Sequence, residues 1–162
     1  MEKKVFFVSD VHLGIWPYEK AREREQLFVQ WLTDIQPNAE AIYLLGDIFD
    51  FWWEYKKVIP RGFTRTLGKL AELTDAGIPV YFLTGNHDVW AFNYLTEELG
   101  IPVFQKPVTR KIKGKKFYLA HGDGLGPNEK IYKLLKSCFH SRFLQWLFAK
   151  LHPDRALAIG QA

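Results

Sequence analysis

Four short apolar runs in this chain, KVFFVSD, AIYLLGD, PVYFLTGN and KFYLAHGD, each finish on polar side chains that are costly to bury. The runs are rich in Val, Ile, Phe, Tyr and Leu without clean alternation, as in strands covered on both faces. A buried strand normally leaves the core through a turn that satisfies its backbone. Here the runs give way to Asp10-Val11-His12, to Gly46-Asp47-Ile48-Phe49-Asp50, to Gly85-Asn86-His87-Asp88 and to His121-Gly122-Asp123. Desolvating amides, imidazoles and carboxylates together is unfavourable unless something binds them.

The segments between the runs carry a helical period. Tyr18–Gln36 is charged at its start and apolar at Leu27, Phe28, Trp31, Leu32 and Ile35, and Pro37 closes it. Thr64–Asp75 places Leu67, Leu70, Ala71 and Leu73 on one face and stops at Gly77. A third, short helix is expected over Ala91–Leu99, ended by Gly100 and Pro102, and VTRKIKGKKFYL reads as a hairpin turning at Lys113-Gly114. Strand and helix alternate, which predicts a layered α/β core in a single domain covering residues 1–162. In such sheets ligands bind beyond the C-terminal strand ends, so Asp10, His12, Asp47, Asn86 and His121 are expected to face one volume.

The residue types suit a metal. Residues two apart in a strand point to the same side, so Asp10 and His12 reach one ion while Val11 packs away. A donor set of carboxylate, imidazole and amide suits Mn, Fe or Zn rather than Ca or Mg. Asp47 follows a glycine that permits close approach, and a carboxylate at a central strand end is the natural bridge between two ions. Asp50 and Asp88 suit a supporting role, orienting an imidazole through its other ring nitrogen, and Asp123 joins them. Each piece alone is ordinary. Asp-x-His is a common incidental pair, Gly-Asp-x-x-Asp a common loop, and a lone His121 a common core histidine; the four in this order, each ending an apolar run, are not.

Composition narrows the classes. No window reaches the ~18 apolar residues that span a bilayer, and the N-terminus does not read as a leader. The single cysteine, Cys138, excludes an intramolecular disulfide and a cysteine-rich zinc site. It also makes a reducing, cytoplasmic setting the expectation. Charge is unevenly spread: residues 1–105 carry 10 Lys+Arg against 15 Asp+Glu, and residues 106–162 carry 12 against 3. An acidic part that binds cations is thus followed by a basic part that attracts anions. Nucleic acid is not expected, because the basic residues are interleaved with large apolar ones and do not line a polar groove. Glu129–Leu151 combines Phe139, Phe143, Trp146 and Phe148 with Lys130, Lys133, Lys136, Arg142 and Lys150. This amphipathic pattern fits a membrane-surface contact or an acyl-chain pocket, and equally a packed helix with snorkelling lysines. Trp52 and Trp53 in DFWWEY leave the same two readings open.

Taken together, Asp10/His12, Asp47/Asp50, Gly85-Asn86-His87-Asp88 and His121 resemble the signature blocks of the calcineurin-like metallophosphoesterase superfamily. The resemblance implies a layered α/β/β/α sandwich. It implies that Asp10 and His12 bind one divalent ion, that Asp47 bridges, and that Asn86 and His121 bind the second. The ions would be Mn²⁺, with Fe or Zn as alternatives. His87 would contact the phosphate and assist the leaving oxygen, paired with Asp88.

The superfamily's final Gly-His-x-His block is absent: beyond His121 only His140 and His152 follow, in other settings. The chain is therefore expected to be either cut short within its domain, the favoured reading, or naturally divergent. FFVSDVHLG, YLLGDIFDFWWEY, FLTGNHDVW and LAHGDGLGPNEKIYKLLK further resemble the branch that cleaves the diphosphate of UDP-2,3-diacylglucosamine in lipid A biosynthesis. That branch implies a helical cap over about residues 125–155 holding the acyl chains, Glu129 and Tyr132 near a UDP-linked acylated glucosamine, and a cytoplasmic enzyme peripheral to the inner membrane.

Overall fold

In the computed structural model, which describes residues 2–15, 17–123, 139 and 141–160, four parallel strands lie side by side in chain order. They are β1 (Lys4–Val8), β2 (Ala39–Leu45), β3 (Val80–Leu83) and β4 (Val103–Phe104). The connections are the helices α1 (Tyr18–Ile35), α2 (Thr64–Asp75) and α3 (Tyr94–Leu99). A sheet whose strand order follows chain order, joined by right-handed crossovers, collects all its helices on one face. The core shows this: Phe28 and Leu32 of α1, Leu67, Leu70 and Leu73 of α2 and Leu95 of α3 bury themselves against Ile42, Leu44, Val80 and Phe82.

The alternate strand positions point the other way and meet a second layer. Tyr43 and Leu83 pack with Leu119, Val108, Ile112 and Phe117 from the antiparallel hairpin β5 (Val108–Ile112) and β6 (Lys115–Leu119). The rings of Phe7 and Tyr43 stack at 5.2 Å, and Phe7 and Phe117 at 6.0 Å. Lys113 (φ 47°) and Gly114 (φ 80°) make the two-residue turn, both left-handed as the twist of a tight hairpin requires. The order helix, sheet, hairpin is the α/β/β part of the expected sandwich.

The fourth apolar run forms β6 of the expected hairpin, its two-residue link permitting only an antiparallel partner. It is not covered on both faces as expected, since Tyr118 is 68% exposed. The fourth strand of the parallel sheet is the two-residue β4. The third helix starts at Tyr94, not Ala91, because residues 91–93 serve a different purpose: the N–H groups of Phe92, Asn93 and Tyr94 donate to the Glu54 carboxylate at 2.8–2.9 Å. Helix α2 is capped from outside in the same way, Glu25 of α1 accepting from Arg65 N and Thr66 N. Neither helix has a capping side chain of its own, so carboxylates distant in sequence satisfy the orphan donors.

Beyond the hairpin the described residues form α4 (Arg142–Phe148) and α5 (Pro153–Gly160). The amphipathic stretch expected as one helix to Leu151 therefore stops at Phe148, and Pro153 opens a new helix at a first-turn position that suits it. Glu129, Tyr132 and Cys138 lie outside the described residues. No helix among those described is long and apolar enough to cross a membrane.

Candidate metal centre

The loops after β1 and β2 stay zipped together past the ends of their strands. Asp10 N donates to Gly46 O, His12 N to Asp47 O, and Leu13 N to Ile48 O, at 2.9–3.1 Å. Extended strands could not do this while turning their side chains inward. Asp10 (φ 56°), His12 (φ 49°) and Asp47 (φ 53°) are left-handed, and only two other described non-glycine residues, Phe63 and Lys113, share that conformation. Such a conformation costs about 1–3 kcal/mol per residue and persists where the surroundings enforce it, typically at a working site.

Two glycines clear the crossing point. A Cβ on Gly46 would lie 2.7 Å from His121 Nδ1 and from Gly85 N. A Cβ on Gly85 would collide with the Asp47 carboxylate. Three chain segments thus approach more closely than any side-chain-bearing residue allows.

Asp47 sits at the centre, 4% exposed. Its Oδ1 accepts from His87 N at 3.0 Å, and its Oδ2 lies 3.2 Å from His121 Nε2 and 4.0 Å from His12 Nε2. Burial alone would raise its carboxyl, but the hydrogen bonds from His121 and from the His87 N–H outweigh this and hold it below the usual value. His121 responds in the opposite sense: the hydrogen bond to Asp47 raises it to about 9, against a smaller lowering from burial. A proton on His121 is here in the place a cation would take.

Each of the three histidines is oriented through Nδ1. His121 Nδ1 is 2.9 Å from Leu45 O, His87 Nδ1 is 2.8 Å from Asp50 O, and His12 Nδ1 is 3.2 Å from Asp50 Oδ1. Carbonyl and carboxylate oxygens only accept, so each Nδ1 bears the hydrogen and each Nε2 is directed to the site. Asp50 thus orients two imidazoles, one with its side chain and one with its main chain. The His12 and His87 rings meet edge to face at 4.9 Å.

Among the described residues, two groups of side chains converge closely enough to hold an ion: His12, Asp47 and His87, and Asp10, Asp47 and His121, the ligand atoms of each within 4.8 Å of one another. Asp47 belongs to both, and the carboxylate and imidazole donors fit Mn, Fe or Zn. Asp10 and His12, expected to share an ion, also converge: His12 Nε2 lies 4.0 Å from Asp10 Oδ1, the same distance as from Asp47 Oδ2. Asp10 N pairs with Gly46 O, and His12 N, one step further along the zipper, with Asp47 O. His87, expected to contact the phosphate, stands beside His12 and Asp50. Asn86, the expected amide ligand, lines a neighbouring cavity.

Asp88 does not meet His87. It is fully buried and accepts from Gly85 N (2.7 Å), Ile48 N (2.8 Å), Asp47 N (3.3 Å) and Phe49 N (3.3 Å). Burial pushes its carboxyl up to about 6, the N–H donors pulling the other way. Its place is that of a pin between the loops after β2 and β3, while the His87 partner is Asp50. Asp123 ends the segment that carries His121 and belongs to neither ion group.

One contributor carried no signal in the sequence. Arg24 of α1 donates from Nη1 to His12 O (3.3 Å) and Val11 O (3.4 Å), bracing the left-handed turn that presents His12. Nothing in the spacing of AREREQ separates it from Arg22.

A cavity of about 860 Å³ flanks the centre, and Asp50, Asn86 and His87 form its polar edge. The rest of its wall is mainly apolar, with Trp53, Trp90 and Phe148 prominent. The rings of Trp53 and Phe148 are 4.5 Å apart, and Trp90 stacks on Phe148 at 6.2 Å. The adjacent tryptophans divide the two roles left open by the sequence: Trp52 is fully buried against Phe49, Phe63 and Tyr94, while Trp53 lines the cavity.

A parallel sheet backed by a hairpin, with aspartates and histidines at its strand ends, is the frame of a metallophosphoesterase. Residues 3–157 match the family model of calcineurin-like phosphoesterases, and the chain belongs to that family. It is 44% identical over 154 residues to a UDP-2,3-diacylglucosamine hydrolase from Porphyromonas gingivalis, across 94% of this chain and 59% of that protein. It is 33% identical to a protein of the same name from Vibrio vulnificus, across 90% of this chain and 58% of that protein. The chain thus spans under two thirds of the length of these relatives. A solved structure of a protein of unknown function from Aquifex aeolicus shares the fold, with a TM-score of 0.51 at 18% identity, over 83% of this chain and 71% of that one.

Proposed function

We propose that the centre hydrolyses the diphosphate of UDP-2,3-diacylglucosamine, giving lipid X and UMP within lipid A biosynthesis, with two divalent ions, Mn²⁺ foremost. One juxtaposition carries this reading: the aspartate and histidine cluster opens onto an apolar cavity of about 860 Å³. A small soluble phosphodiester has no use for a wall of Trp53, Trp90 and Phe148, whereas acyl chains do. The names of the relatives from Porphyromonas gingivalis and Vibrio vulnificus point the same way.

Asp47 would hold both ions, with Asp10 and His12 on one side and Asn86 and His121 on the other. Bound there, divalent ions supply charge for the phosphoryl oxygens and lower the pKa of a bound water. The chain's own residues set the rest. His87 keeps its Nδ1 hydrogen on Asp50 O, so the proton it exchanges with the leaving oxygen is at Nε2. Asp50 holds the His12 ring with Nε2 directed to the site. Trp53 and Trp90 exclude water beside the reacting group and hold the acyl chains. Glu129 and Tyr132 are proposed to approach the substrate from the cap segment, and Asp123 to support His121. Attack on the α-phosphorus would break its bond to the bridging oxygen, so lipid X is the leaving group, protonated from His87, and UMP carries the new oxygen.

The exposed side of α4 suits a peripheral position at the cytoplasmic face of the inner membrane. Phe143 (68% exposed) and Trp146 (57%) lie beside Arg142 and Lys150, the Lys150 ammonium 5.3 Å from the Trp146 ring. Apolar rings with flanking cations are what an anionic lipid surface takes.

The test is Mn²⁺-dependent release of UMP from UDP-2,3-diacylglucosamine, run beside a small aryl phosphodiester and with Asp47→Ala as control. Release that is lost in the variant, with the acylated substrate strongly preferred, is the expected result. Turnover of the small diester alone would remove the substrate and leave a phosphoesterase. Metal binding without turnover of either would leave a metal-binding scaffold.

A further inference from the structure

A second cavity, of about 460 Å³, opens beside the same loop but has opposite chemistry. Gly14 and Ile15, directly after the zippered Leu13, form part of its wall. Arg22 from α1, Arg61 from the loop before α2 and Arg65 from the first turn of α2 converge on it, and among the described residues Glu25 is the one carboxylate in the lining. That carboxylate is committed to the start of α2 and to Arg65. Its Oε1 accepts from Arg65 N and Thr66 N, and its Oε2 lies 3.7 Å from the Arg65 guanidinium. Among the described residues no carboxylate lies within 4.0 Å of Arg22 or Arg61.

Arg22 and Arg61 share this concave surface with no counter-charge of their own, and an anion between such cations removes their mutual repulsion. The guanidinium fork matches the oxygens of a phosphoryl group bidentately, which a single carboxylate ligand cannot offer to three arginines. The backbone is also open at this point. Gly62 holds φ +113°, with no atom within 4 Å of where a Cβ would stand.

We infer that this arginine-rimmed cavity is a binding site for a phosphoryl dianion, separate from the metal centre. The same chemistry could arrive as free phosphate, as a soluble phosphomonoester or as a lipid headgroup. The concave shape assigns it to the soluble form, since a cavity of a few hundred Å³ encloses a small ligand that a bilayer does not insert. The site stands independently of the hydrolysis proposed above.

Calorimetric titration of the full chain with inorganic phosphate, metal present and salt low, tests it, with the Arg22→Ala/Arg61→Ala variant in parallel. Both side chains are exposed, so thermal melting and Mn²⁺ binding should be unchanged in the variant. The expected result is a phosphate site that weakens with added salt and whose Kd rises about tenfold or more in the variant. Arg22→Lys/Arg61→Lys should restore part of the affinity, the charge returning without the fork. No phosphate binding, or binding that the alanine variant leaves unchanged, overturns the inference. Retention on phosphatidylglycerol vesicles that needs both arginines, with no binding of free phosphate, overturns the soluble assignment in favour of a headgroup.

Discussion

Asp47 and His121 meet at 3.2 Å, although one follows a strand of the parallel sheet and the other follows the hairpin layered against it. That contact joins the two β layers at the point where the ligands gather. Packing of Leu119 against Tyr43 and Leu83 is therefore part of how the centre is built.

The contact has a pH signature. Without metal, His121 is held protonated to about pH 9 by Asp47, above its ordinary value of 6.5. Its contribution to stability is fully present below about pH 6.5 and is lost as pH rises through about 9. A metal must displace that proton, so Mn²⁺ affinity should climb by up to about tenfold per pH unit across this window and then level off. Calorimetry in buffers of different ionisation enthalpy should count one proton released per ion on the His121 side. His121→Gln should abolish the slope.

Asp50 should matter to the metal more than to the fold. Asp50→Ala removes the acceptor that orients His12, while the main-chain oxygen that holds His87 remains. Mn²⁺ affinity should fall by about 10- to 100-fold. The melting temperature of the metal-free chain should change little, since the lost pair is partly exposed.

Asp88 should behave in the opposite way. Its side chain satisfies four backbone N–H groups in a fully buried setting. Asp88→Ala leaves them unpaired and should cost about 3 kcal/mol or more of stability. Chemical denaturation reads the loss directly, and an unchanged midpoint would refute the pinning role.

Much of the frame was legible because its causes are local. The 3.6-residue period of Leu67, Leu70 and Leu73 fixes α2, and Lys113-Gly114 fixes the hairpin turn. The site was legible in kind for the same reason, since each ligand follows directly on an apolar run. What the sequence did not carry is set by contacts between distant segments. Asp88 stands next to His87 in the chain, yet its acceptors are claimed by Asp47, Ile48 and Phe49 across the loop crossing. Trp52 and Trp53 are chemically alike, and only the direction of the backbone sends one into the core and the other into the cavity. Arg24 and Arg22 lie in one charged stretch, and only the tertiary position of Val11 and His12 separates them.

Trp53 should govern substrate choice. Trp53→Ala removes a ring that packs on Phe148 and lines the apolar cavity. KM for the acylated substrate should rise by about tenfold or more, the worth of a few lost methylene contacts. Hydrolysis of a small aryl phosphodiester should be nearly unaffected. An equal loss on both substrates would assign Trp53 to the fold instead.

The most direct measurement is anomalous scattering from crystals of the chain grown with Mn²⁺. Two peaks about 3.5–4 Å apart that share the Asp47 carboxylate are expected, one beside His12 and the other beside His121. A single peak, or two peaks with Asp47 bound to neither, would contradict a dinuclear centre built on Asp47.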